Sequence, residues 1–173
     1  MEEANKSTWI VAALERYESH LVRYANWILG DAERAREVVQ ETFLRLCKEK
    51  PGQVGSHLAQ WLFTVCRNLA FDIRKKESRM SPLIDPEMIP AALERPGGSL
   101  EREETMSHVV RLMEALPKNQ REVIRLKFQS DLSYKEISEI TGLSVTNVGF
   151  LIHTAIKSLR KELLAESAKR SFQ

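Results

Sequence analysis

The sequence predicts an all-α protein: two small helical domains joined by a flexible linker, the C-terminal one containing a helix-turn-helix. Three observations predict it. Apolar residues recur at three- and four-residue steps on both flanks of the chain. Strand-like alternation of apolar and polar residues is absent throughout. Between the flanks, Arg79 to Ser99 holds Pro82, Pro86, Pro90, Pro96, Gly97 and Gly98, which interrupt helix and strand alike. The domains then span 1–78 and 108–173, with 79–107 forming the linker and the start of the next helix.

The elements follow in order. Thr8 to Leu29 carries a helical stripe of Ile10, Leu14, Tyr17, Leu21, Tyr24 and Ile28. Gly30 ends that helix and Asp31 can cap the next. The second helix runs from Ala32 to about Lys48, burying Ala35, Val38, Val39, Thr42, Phe43 and Leu46. Pro51-Gly52 breaks the chain, and a third helix runs from about Ser56 to Glu77. Leu58, Leu62, Val65, Cys66, Leu69 and Ile73 face its core.

Beyond the linker, Leu100 to Ala115 forms a helix with Val109, Leu112, Met113 and Leu116 inward. Pro117 suits the first turn of the next helix, which reaches about Phe128. Ser133-Tyr134-Lys135-Glu136 is a capping box: hydroxyl and carboxylate each satisfy an amide at the helix start. That short helix stops at Thr141-Gly142, and Ser144 caps a last helix that continues to about Ala168.

Composition narrows the function classes. No apolar run approaches the roughly 20 residues of a membrane span, and the acidic start Met1-Glu2-Glu3 is unlike a secretory signal. A cytoplasmic protein without membrane insertion is expected. Cys47 and Cys66 set no disulfide framework and no CxxC pair, and His20, His57, His108 and His153 are scattered. No metal site, no cofactor and no catalytic residues are expected, since nucleophile–base pairs, phosphate-cradling glycine loops and metal-ligand spacings are all missing. The net charge of +2 divides as +1 over 1–78, −3 over 79–107 and +4 over 108–173. Basic ends are compatible with nucleic acid and weak as a signal alone.

Three segments carry chemistry. From Ser133 to Leu159, a capped short helix, a glycine turn and a second capped helix form a helix-turn-helix pattern. Ile137 and Ile140 would pack on Val148 and Ile152, while Ser144, Thr146, Asn147 and Phe150 face outward. Such a helix enters the major groove, where Asn pairs with adenine and apolar groups touch thymine methyls. From Trp61 to Lys76, aromatic residues stand beside Arg67, Asn68, Arg74 and Lys75, a mixture suited to single-stranded DNA. Composition alone favours the plainer alternative there, core aromatics and solvated charges. From Glu37 to Leu46, Gln40, Glu41 and Arg45 share a polar face that suits a protein partner or, more simply, solvent.

Taken in this order, the segments resemble the extracytoplasmic-function (ECF) sigma factors, the smallest class of the bacterial housekeeping-sigma family. Gly30-Asp31, Val39 to Leu46, Trp61 to Thr64 and Arg67 to Arg74 resemble the family's region two. Ala115-Leu116-Pro117, Gln120 to Val123 and Ser133 to Ile137 resemble region four. The resemblance covers nearly the whole chain. It implies a monomer that binds core RNA polymerase, promoter DNA both duplex and melted, and an anti-sigma factor. Glu37, Gln40, Glu41, Phe43 and Arg45 would dock on the polymerase clamp helices. Trp61, Arg67, Asn68, Arg74 and Lys75, with the Pro51–Gln60 loop, would melt and read the minus-ten element. Lys135, Ser144, Thr146, Asn147 and Phe150 would read the minus-thirty-five element.

Three positions depart from the family pattern. Glu37 stands where Asp is usual, Cys66 replaces a small residue and is expected in the core, and Gly149, Leu151 and Thr154 stand where Lys or Arg are frequent. With Phe150, Leu151 forms an apolar outward face that could meet DNA or protein. The competing reading is a stand-alone helix-turn-helix transcriptional regulator, which accounts for 108–168 but leaves the first 78 residues unexplained.

Overall fold

The computed structural model describes residues 2–80 and 109–170, with side chains over 5–80 and 109–165. The expected linker lies outside the described residues except for Arg79 and Met80, as does the expected helix start at Leu100. Every regular element among the described residues is helical. The chain divides into two compact units, one containing α1–α4 and the other built chiefly from α5–α8.

The first unit is three long helices and a short connection. Helix α1 spans Glu2–Leu29, starting six residues before the expected start at Thr8. The stripe needs a partner; Glu2, Glu3 and Ala4 are simply good helix formers. Leu21, Tyr24, Ala25 and Ile28 are buried. Gly30 closes the helix at φ 68°, a left-handed conformation that glycine adopts without a Cβ penalty. Asp31 then caps α2 (Ala32–Leu46), its Oδ1 accepting from the backbone amides of Glu33 at 2.9 Å and Arg34 at 3.1 Å. The buried residues of α2 are Ala35, Val38, Val39, Thr42, Phe43 and Leu46, the whole expected stripe. Thr42 is polar yet fully buried, and its hydroxyl donates to the Val38 carbonyl at 2.8 Å, so no orphan donor results.

Pro51-Gly52 does not break the chain as expected. It opens α3 (Pro51–Val54), one turn with Pro at its start, where the missing amide would have no helical partner anyway. A 3-10 turn (Gly55–His57) leads into α4 (Leu58–Met80). Leu62, Phe63, Cys66 and Ala70 are the buried side of α4, and Phe63 meets Tyr24 with ring centroids 5.6 Å apart. Helices α1, α2 and α4 pack pairwise around this core.

The second unit begins with α5, helical over the described residues 109–114. Pro117 sits one position earlier than expected, at the N-cap of α6 (Lys118–Phe128) rather than inside it. Asp131 turns the chain at φ 52°, and Lys127 Nζ donates to the Leu132 carbonyl at 3.2 Å, fastening that turn. Helix α7 (Tyr134–Thr141) ends at Gly142, φ 75°, and α8 (Val145–Arg170) follows. Val123, Leu126, Leu132, Ile137, Val148 and Ile152 form the core, with α6 packed on α8.

Candidate nucleic-acid and polymerase interfaces

Each candidate face is the solvent side of a helix whose other side is core. On α2, Glu37, Gln40 and Arg45 are exposed and Glu41 is half-buried. Arg45 Nε donates to Glu41 Oε1 at 2.9 Å, an i,i+4 ion pair along the surface. Phe43 is different: it is 7% exposed and belongs to the core stripe. It therefore lies beneath the exposed side of α2 rather than on it, contrary to the expectation. Leu44 is 51% exposed beside Gln40 and Glu41, an apolar residue lying off the buried stripe of its own helix and readable as such from the sequence.

On α4, seven-residue steps place Trp61, Asn68 and Lys75 on one face, spaced about 10 Å apart along the axis. Asn68 and Lys75 are exposed and Trp61 is half-buried. Beside them, the Arg67 guanidinium lies 4.7 Å from the centroid of the Phe71 ring, a cation–π contact that limits its rotamers. Arg74 Nη1 donates to the Ile28 carbonyl at 3.3 Å, capping the C-terminal end of α1. This guanidinium thus ties α4 to the end of α1. Glu77 pairs with Arg34 at the start of α2, a second tie between α4 and the body of the unit.

The buried side of α4 includes Cys66. Burial pushes its thiol up to about 12, partly offset by a hydrogen bond with Thr42, and Sγ lies 4.0 Å from the Leu21 carbonyl. It is a core residue, as expected for its position, and is inert as a nucleophile at neutral pH.

The helix-turn-helix has the capping chemistry the sequence predicts. Glu136 N donates to Ser133 Oγ at 3.2 Å, and Ser133 N donates back to Glu136 Oε2 at 2.7 Å. Asn147 N donates to Ser144 Oγ at 3.2 Å, capping α8. Across the turn, the Ser138 hydroxyl donates to the Leu143 carbonyl at 2.6 Å, tying α7 to the connection. Lys135, Ser144, Thr146, Asn147 and Phe150 are all exposed. Phe150 is 64% exposed, whereas Leu151 is 6% exposed. Leu151 is therefore a core residue beside Val148, Ile152 and Ala155, and the expected outward pair reduces to Phe150 alone. No group of His, Cys, Asp and Glu among the described residues could hold a metal ion. No described helix is long and apolar enough to cross a membrane.

Two helical units, the second closing on a helix-turn-helix, define the class of a two-domain DNA-binding factor. Residues 13–80 match Sigma-70 region 2 and residues 108–159 match Sigma-70, region 4. The chain is 32% identical over 149 residues to the ECF RNA polymerase sigma factor EcfG of Rhodopseudomonas palustris, covering 84% of this chain and 80% of that protein. It is 30% identical over 170 residues to the ECF RNA polymerase sigma factor SigL of Mycobacterium tuberculosis, covering 88% and 90% respectively. Against SigM of Bacillus subtilis, also an ECF RNA polymerase sigma factor, identity is 28%, covering 84% and 90%. In fold it is similar to the sigma factor RpoE of Bartonella quintana, solved in complex with the anti-sigma factor NepR. The TM-score is 0.68 at 23% identity, covering 91% of this chain and 95% of that one. The chain belongs to the ECF RNA polymerase sigma factors, and its function is promoter-directed transcription initiation with RNA polymerase.

Proposed function

We propose a division of this sigma-factor function among three helices. The exposed side of α2, with Glu37, Gln40, Glu41, Leu44 and Arg45, docks on core polymerase. The face of α4 formed by Trp61, Arg67, Asn68, Arg74 and Lys75 opens and reads the minus-ten element. An unpaired base stacks on Trp61, Asn68 hydrogen-bonds its edge, and the cations hold the backbone. Lys135 with Ser144, Thr146, Asn147 and Phe150 reads the minus-thirty-five element as duplex.

The observation that carries this reading is the exposure of Asn68, Asn147 and Phe150 on helices whose opposite sides are fully occupied by core residues. The protein acts as a non-catalytic, monomeric subunit in the cytoplasm, without a cofactor or metal of its own; the polymerase performs the chemistry. The solved complex of RpoE with NepR supports an anti-sigma factor as a further partner.

Run-off transcription from genomic fragments, with purified core polymerase plus this chain, tests the reading. Discrete transcripts that core alone does not make are expected. Charge reversal of Glu41→Arg should weaken association with core on gel filtration while leaving the helical circular-dichroism signal intact. Unchanged association would leave the α2 face merely solvated. A protein that binds specific DNA as a dimer and forms no complex with core would be a stand-alone regulator instead.

A further inference from the structure

The helix-turn-helix has an uneven distribution of charge. No Lys or Arg occurs between Lys135 and Lys157. The outward stripe of α8 in its first turns is Thr146, Phe150 and His153, flanked by Val145 and Asn147, and all five are exposed. Val145 at 47% and Phe150 at 64% are large apolar side chains left in solvent, although Val148, Leu151, Ile152 and Ala155 already fill the core side of the helix. A Cβ built at Gly149 would meet Tyr134 Cε2 at 3.5 Å, so an aromatic ring occupies that flank. Cations return only at the margins: Lys135 on α7, and Lys157, Arg160 and Lys161 on later turns of α8, all exposed.

In the major groove each base is read by its own chemistry. Guanine is read chiefly by bidentate Arg or Lys on O6 and N7, adenine by the amide of Asn or Gln, and thymine by apolar contact with its C5 methyl. The first turns of α8 hold the second and third kinds of group and none of the first. On the footing of the promoter reading above, we propose that α8 selects A·T pairs within the upstream promoter element. Asn147 takes an adenine, and Val145, Phe150 and the Thr146 methyl take thymine methyls. Lys135, Lys157 and Arg160 hold phosphates, which position the helix without reading sequence. A neutral reading surface bordered by cations fits a groove lying between two phosphate strands. An apolar protein partner would use Val145 and Phe150 equally well but would have no use for the cationic margin.

The test uses the full chain bound to core polymerase. Duplexes are first selected from a library randomised across the upstream element. Thymidines of the selected element are then replaced by deoxyuridine, which removes only the C5 methyl. The expected selection is rich in A·T pairs. Each contacted thymine should lose about fourfold in affinity on replacement, the worth of one buried methyl group. Phe150→Ser should show a similar loss on the thymidine duplex and become insensitive to replacement at its own position, with core binding unchanged. A guanine-rich element, or deoxyuridine without effect, overturns the A·T preference. If Asn147→Ala still alters promoter choice in that case, the helix reads DNA by another chemistry and the promoter reading stands. If Asn147→Ala and Phe150→Ser both leave promoter choice intact, α8 does not read DNA and the underlying reading falls with the proposal.

Discussion

The two helices proposed to face DNA, α4 in the first unit and α8 in the second, are held in place by different means. The face of α4 is tied to residues far away in sequence: Arg74 donates to the Ile28 carbonyl, Glu77 pairs with Arg34, and Phe63 packs on Tyr24. The start of α8 is shaped locally. Ser133 and Glu136, Ser144 and Asn147, and Ser138 and Leu143 are bonds across three to five residues. The charges differ too. Arg67, Arg74 and Lys75 lie beside the exposed Asn68 on α4, whereas the first turns of α8 carry no Lys, Arg, Asp or Glu. Separating strands means holding a flexible, charged single strand, which favours fixed cations and a stacking ring. Reading an intact duplex needs a helix start presented at the right angle, which caps and a tight turn supply.

Substitutions can break or sharpen this contrast. The largest effect is expected from Phe63→Ala. A fully buried ring at the junction of α1 and α4 is lost, costing about 3–5 kcal/mol. Chemical denaturation followed by circular dichroism should show the first unit unfolding early. A loss below about 1 kcal/mol would mean that α4 is not held by this core. Next comes Gly142→Ala. An added Cβ meets nothing within 4 Å, so the cost is the left-handed backbone alone, about 1–2 kcal/mol. Minus-thirty-five binding should fall with it while core binding is kept. Ser133→Ala removes one side of the capping box and should cost about 1 kcal/mol. The smallest effect belongs to Arg34→Ala, because its ion pairs with Glu77 and Asp31 are roughly half-exposed on both sides and exposed pairs contribute little, at most about 1 kcal/mol. An Arg34→Ala loss exceeding that of Ser133→Ala would place the exposed ion pairs above the helix cap.

The contrast also explains what the sequence made legible. The buried stripe of α2 could be read in full, because one amphipathic helix against one core leaves a clean period. The caps at Asp31, Ser133 and Ser144 were legible because the donors and acceptors are neighbours in sequence. What required the folded chain was tertiary. Nothing local signals that Arg74 reaches the Ile28 carbonyl, 46 residues away. Leu151 was misread because steps of four, three and four through Val148, Ile152, Ala155 and Leu159 skip it. A wide apolar stripe also buries the position three after Val148. Pro51-Gly52 was misread as a break because a helix-breaking residue in the interior is a helix-starting one at the first position. Phe43 belonged at once to a motif and to a stripe, and burial decides for the stripe.

In this division of roles, strand opening resides in the α4 face, separately from polymerase docking and duplex reading. Permanganate reactivity of unpaired thymines in a promoter complex measures it directly, using core polymerase with either the unaltered chain or Asn68→Ala. Asn68→Ala should bind core and closed promoter duplex as the unaltered chain does, yet lose at least about tenfold in reactive complex, the equivalent of one good base contact. Undiminished thymine reactivity, or a loss of reactivity that merely follows a loss of core binding, would contradict it.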